Sequence, residues 1–145
     1  VITPHDLDGE PMAILFDEHT TATQTEAAFT ASGCRFNKRI ELRTFVPGLQ
    51  FVAEGYCYMV CDMITAYSHV LTGPSASRLA VRRFRPRVSN EVAILTPAYV
   101  SQAQLASAFV NHLVGAIDTM RSDVEAWLNR PMDQSLQPDS GTCNR

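Results

Sequence analysis

The sequence predicts an α/β domain on a largely parallel sheet. Short apolar runs alternate with segments of helical period. The runs are apolar on both faces, as strands inside a covered parallel sheet are. The helical segments carry their own start and stop signals. The order reads β-α-β-α-β, then a connection, then β-β-α, and such alternation implies helices packed on a parallel sheet.

The first run, Met12 to Phe16, follows the turn-like "DLDGEP" and predicts a buried strand at 12–16. A helix is expected from about 21 to 32, with a capping box from Thr21 and Gln24 or from Thr23 and Glu26. Gly33 stands where a helix ends in the left-handed C′ conformation. "RIELRTF", residues 39–45, alternates apolar and polar and predicts the next strand. Pro47 fits the first turn of a second helix, whose apolar face is Leu49, Val52, Ala53 and Tyr56, closed by Gly55. "YCYMVC" predicts a strand buried on both faces. A short helix or turn at about 63–69 and a Gly-Pro-Ser loop at 73–77 come next. "RLAVRRF" predicts a strand at 78–84, and "EVAILT" a buried strand at 91–96. Pro97 ends it, and Ser101 with Gln104 forms a capping box. A long helix then carries Leu105, Ala108, Phe109, His112, Ala116, Ile117, Met120, Val124 and Trp127 in one stripe to about residue 128. From 129 to 145 apolar periodicity stops, which predicts a flexible tail. Residues 1–128 thus form one domain.

Composition narrows the function classes. The chain has 145 residues, 46% of them hydrophobic, enough for one core without disulfide staples. A net charge of −3 with 19% charged residues argues against a nucleic-acid surface over the whole chain. The one basic cluster, "RLAVRRFRPR", reads as a solvated strand and connection. No apolar run approaches the ~18 residues of a membrane span, and no secretory signal opens the chain. Four cysteines in apolar settings fit a reducing, cytoplasmic compartment.

Catalytic and metal motifs are missing. Cys57 and Cys61 are four apart, which on a strand is ~13 Å. That is too far to share a metal or a disulfide, so they read as small buried hydrophobes. The four histidines form no metal-binding pair, and neither a nucleophile elbow nor a Gly-rich phosphate loop occurs. Asp17 and Glu18 are adjacent, so on an extended segment they point to opposite sides. Nothing supports an enzyme, a metal or a cofactor. Two helix N-termini at strand ends remain: Asp17, His19, Thr20 and Thr21 at the first, and Thr44, Phe45 and Val46 at the second. Backbone N–H groups and the helix dipole favour carboxylates or phosphates there. The threonines either cap their helices or touch a ligand, and the two roles can coexist.

The stretch "LQFVAEGYCYMVCDMITA" resembles a helix, "VAAGLG" and an apolar strand in LysR-type transcriptional regulators, with Val52, Ala53 and Gly55 matching. "HDLDGEPMAIL" resembles the opening of the second lobe of their effector-binding domain. "FTASGC" resembles its first helix end, and "RRFRPRVSNEVAILTPAYVSQAQLASAFVNHL" its returning strand and closing helix. "CDMITA" is similar to a "VDPLTA" variant in a subset that includes opine-responsive regulators; Asp62, Thr65 and Ala66 match, and Met63 replaces the proline. The resemblance covers about residues 3 to 120.

It implies a type 2 periplasmic-binding-protein-like fold, mainly its second lobe plus the returning strand and helix of the first. It implies a non-enzymatic domain that binds a small anionic effector, amino-acid-like or another carboxylate, in an inter-lobe cleft. The effector would alter the geometry of a homodimer or homotetramer, paired in part through the helix near 21–32. DNA contact would belong to an N-terminal helix-turn-helix that this chain does not contain. The cleft residues it implies are Asp17, His19, Thr20, Thr21, Thr44, Phe45, Val46, Tyr56 and Cys57. Cys57 replaces the family's second glycine between Tyr56 and Tyr58, so the pocket is expected to be narrower or more aromatic. A solute-binding fragment of the same fold, or a small α/β enzyme, is the competing expectation.

Overall fold

The computed structural model describes residues 1–16, 18–71, 78–91, 93–95 and 104–129. It is a mixed α/β structure on a three-stranded parallel sheet, in the order β2-β1-β3. Strand β1 is Pro11–Leu15, and Met12, Ala13, Ile14 and Leu15 in it are all buried. It lies in the middle because it is apolar on both faces. Strand β2, Asn37–Leu42, carries Lys38, Arg39 and Glu41 and takes an edge. Arg39 is an extra residue against β1, a bulge between the Met12–Lys38 and Ala13–Ile40 pairs. Strand β3 is only Tyr58–Met59.

Helix α1, Thr20–Ala31, buries Thr21, Ala22, Thr25, Ala28 and Phe29 along one stripe. Thr25 satisfies its buried hydroxyl internally by donating to the Thr21 carbonyl at 2.7 Å. Phe29 forms a cluster with Leu7 and Met12 on one side of the sheet. It meets Phe36 edge-on at 5.0 Å and stacks on Phe84 at 6.3 Å. Helix α2, Phe45–Ala53, covers the other side, where Leu49, Val70 and Leu79 form a second cluster with Met59, Val52 and Val81. Both helices end as expected. Gly33 and Gly55 take φ of +66° and +78°. Cys34 N donates to Phe29 O and Gly33 N to Thr30 O, and Tyr56 N and Gly55 N repeat the pattern onto Phe51 O and Val52 O. These are Schellman closures, which need the left-handed backbone that glycine adopts without strain.

Asp62 then caps a single turn, α3 (Met63–Thr65), which continues as a π-helical turn over Ala66–Leu71. Helix α4, Gln104–Leu128, packs by its C-terminal half. Val124 is buried, Tyr67 donates to Asp123, and Arg83 makes a two-point ion pair with Glu125 and also donates to Asn129. The expected stripe is covered only in part, since Leu105 and Phe109 are 81% and 64% exposed.

Five sequence expectations need correction. Helix α1 is capped by His19, whose Nδ1 accepts from Thr21 N at 3.4 Å, and not by Thr21 or Thr23. Thr21 lies inside the helix with its hydroxyl turned to Asn90, and Thr23 donates back to the Thr20 carbonyl. The "YCYMVC" strand shrinks to two paired residues. Tyr56 is 65% exposed because the chain turns at Gly55 before its side chain can join the α2 face. Residues 78–84 form no strand. Leu79 is buried and Phe84 makes one parallel bridge with Ile2, but among the described residues no ladder partner adjoins the rest. Among the described residues of 91–96 there is no strand either, and Ile94 and Leu95 are 43% and 92% exposed. The short β3 edge offers too few backbone groups to pair a further strand. Asp17, the 73–77 loop, Pro97, Ser101 and the tail from 130 lie outside the described residues.

Candidate functional site

In a parallel sheet of this order the chain winds outward from β1 to β2 on one side and to β3 on the other. The crevice beyond the carboxyl ends of β1 and β3 is where such sheets bind ligands, because the connections diverge there. A cleft of about 700 Å³ occupies that place. After β1 it is lined by Glu18, His19, Thr20 and Gln24; after β3 by Asp62, Ile64 and Thr65; across the mouth by Ser89, Asn90 and Glu91. Phe45, at the start of α2, adds an apolar surface.

Local physics positions each group. The His19 ring is held as the α1 cap and meets Phe45 edge-on at 6.0 Å. Asp62 is fixed by its own turn: Oδ1 accepts from Thr65 N at 2.7 Å and Oδ2 from Thr65 Oγ1 at 3.1 Å. Thr21 Oγ1 donates to Asn90 Oδ1 at 3.0 Å, while Gln24 and the Ser89 backbone exchange two hydrogen bonds at 2.8 and 3.0 Å. Among the described lining residues three are carboxylates and none is lysine or arginine.

Of the residues expected from sequence, the structure brings His19, Thr20 and Phe45 into the cleft. Thr21 stands behind the wall as a buried anchor of Asn90. Thr44 is the exposed N-cap position of α2, with no side-chain bond to the helix, and Val46 is 46% exposed; neither lines the cleft. Tyr56 and Cys57 do not line it either. Cys57 is buried at the entry to β3, where loss of hydration pushes its thiol up. Glu18 falls within the Asp17 to Thr21 stretch expected at the cleft, whereas Gln24, Asp62, Ile64, Thr65, Ser89, Asn90 and Glu91 were not singled out as cleft residues from sequence. Asp62 with Thr65 three residues on does carry a legible signal, an N-cap pattern directly after an apolar strand.

At the three described cysteines thiol chemistry is disfavoured. Burial, and then the neighbouring Asp62, push the Cys61 thiol up to about 11. Cys34 Sγ lies 3.2 Å from His5 Nδ1, a pairing across 29 residues that spacing could not reveal. Its thiol is also raised, by desolvation and then by Asp8, so it is a poor nucleophile at neutral pH. Among the described residues no three His, Cys, Asp or Glu side chains are grouped to hold a metal ion, and no helix is long and apolar enough to cross a membrane.

The fold is that of an α/β domain with an open cleft at the carboxyl edge of its sheet. Compared with known proteins, the chain matches no family model, no curated protein and no solved structure.

Proposed function

We propose that this chain is the ligand-sensing part of a LysR-type transcriptional regulator, with a small amino-acid-like effector in the cleft. The observation that carries the proposal is the lining itself: the N-terminus of α1 beside Glu18 on one wall, and the carboxylates of Asp62 and Glu91 on the others. The ligand's carboxylate meets Thr20 and the α1 N-terminus, and its ammonium faces Asp62 and Glu91.

Magnitudes favour a zwitterion over a plain anion. A helix N-terminus contributes ~0.3–1 kcal/mol toward an anion. A carboxylate ~6 Å away opposes it by ~3 kcal/mol at an effective dielectric constant of ~20. A ligand anionic throughout would therefore be repelled by the side chains faster than the dipole attracts it. An amino group reverses the sign of that larger contribution.

On this reading the finer fold is that of a type 2 periplasmic-binding-protein lobe, acting in the cytoplasm as a homodimer or homotetramer. Effector binding controls transcription only if it distinguishes two arrangements of the assembly. Calorimetry against the twenty common L-amino acids tests the ligand class, with the corresponding amines and carboxylic acids as controls. Binding of an amino acid but of neither control is expected. Tight binding of a dicarboxylate alone would reject the zwitterion. The coding sequence upstream of Val1 tests the regulatory half: a winged helix-turn-helix is expected, and a secretory signal there would favour a solute-binding protein.

A further inference from the structure

We propose that residues 89–91 form a separately opening wall of the cleft, latched to α1 by the Gln24 side chain. The inference rests on the cleft being the ligand site, as proposed above. Among the described residues three hydrogen bonds hold the segment, and each uses a side chain of α1. Ser89 N donates to Gln24 Oε1 at 2.8 Å, Gln24 Nε2 donates to Ser89 O at 3.0 Å, and Thr21 Oγ1 donates to Asn90 Oδ1 at 3.0 Å.

The two Gln24 bonds satisfy both main-chain polar groups of Ser89, as a neighbouring strand would. No strand does so here, because residues 85–91 belong to neither helix nor sheet. A ladder in β1 opens only with the sheet. A wall held by one amide and one hydroxyl can release while α1 and β1 stay folded. Ser89, Asn90 and Glu91 are all exposed, so no apolar burial adds to the latch. All three also line the cleft, as does Gln24, so release of the segment widens the same space a ligand enters. Gln24 is thus a positioning residue: it sets where the 89–91 wall stands.

Amide hydrogen exchange on the intact chain decides the matter without a ligand. In the wild type the Ser89 amide is expected to exchange more slowly than an unstructured amide and faster than the amides of β1. Gln24→Ala should accelerate exchange at Ser89 at least tenfold and leave residues 25–31 and β1 unchanged. Gln24→Glu keeps an acceptor for Ser89 N but sets a carboxylate against Ser89 O, so it should fall between the two. Thr21→Val, nearly isosteric in its buried position, should accelerate Asn90 and Glu91 more than Ser89. Unchanged Ser89 exchange in Gln24→Ala overturns the latch. Equal acceleration across the whole molecule overturns the separate opening. Failure to find any amino-acid ligand would sink the proposed function and leave this result standing.

Discussion

Phe29 is the residue on which most of the first cluster converges. It is fully buried, touches two further aromatic rings, and belongs to the helix whose N-terminus shapes the cleft. Truncation removes the ring and leaves a cavity that the neighbouring β1 strand cannot collapse to fill. Phe29→Ala is expected to cost about 3–5 kcal/mol in urea denaturation. A loss below about 1 kcal/mol would mean that the cluster is not the core. Asp62 works differently, since its carboxylate both caps α3 and faces the cleft. Asp62→Ala should cost about 1 kcal/mol of stability, the usual worth of an N-cap, and should also abolish amino-acid binding. Loss of stability with binding intact would confine Asp62 to its capping role. Individual roles such as these were only partly legible in the sequence. His19 and Phe45 stand at strand ends and were found by position. Ser89 and Asn90 reach the cleft through bonds across 65 and 69 residues, for which no local pattern exists.

At the scale of elements, the first half of the chain follows its sequence closely because local signals agree with one another. The α1 end is the clearest case, where the Gly33 conformation and two backbone bonds coincide. Gly33→Ala forces a Cβ into the left-handed region and is expected to cost about 1–2 kcal/mol. No atom crowds that position, so the cost is conformational alone and should appear undiminished in equilibrium denaturation. The expected strand at 78–84, and any strand among the described residues of 91–96, is absent for a non-local reason. Alternation fixes which side chains turn inward, and Leu79 does so, but a strand also needs an edge to pair with. Helix α4 depends on a polar attachment. Its Glu125 carboxyl is held below the usual range, chiefly by hydrogen bonds from Arg83. A depressed folded value means that the contribution is present above the unfolded value and lost as pH falls through the folded one. The environment of Trp127, the single tryptophan, should therefore change as pH drops below about 4. Glu125→Gln should remove that transition, and an identical titration in the variant would exclude Arg83–Glu125 as its source.

For the molecule as a whole, the order β2-β1-β3 determines where function can sit. Two apolar clusters cover the faces of the sheet, so ligand access is left to its edges and ends. The carboxyl end has the diverging connections, the helix N-termini and the cleft. The general location of the candidate cleft was legible because α/β order alone points to it. Its charge was not, because Glu18, Asp62 and Glu91 come from three separate segments that only the fold assembles. Of the two expected ligands, an amino-acid-like molecule or another carboxylate, that charge favours the first, with a carboxylate and an ammonium group together. The most direct test is a nuclear magnetic resonance titration of the chain with individual amino acids, read at assigned backbone amides. The account predicts saturable shifts for at least one of them, at Thr20, Thr65 and Asn90 together, that disappear with its des-amino analogue. Shifts confined to residues outside the cleft, or shifts equal for both compounds, would contradict it.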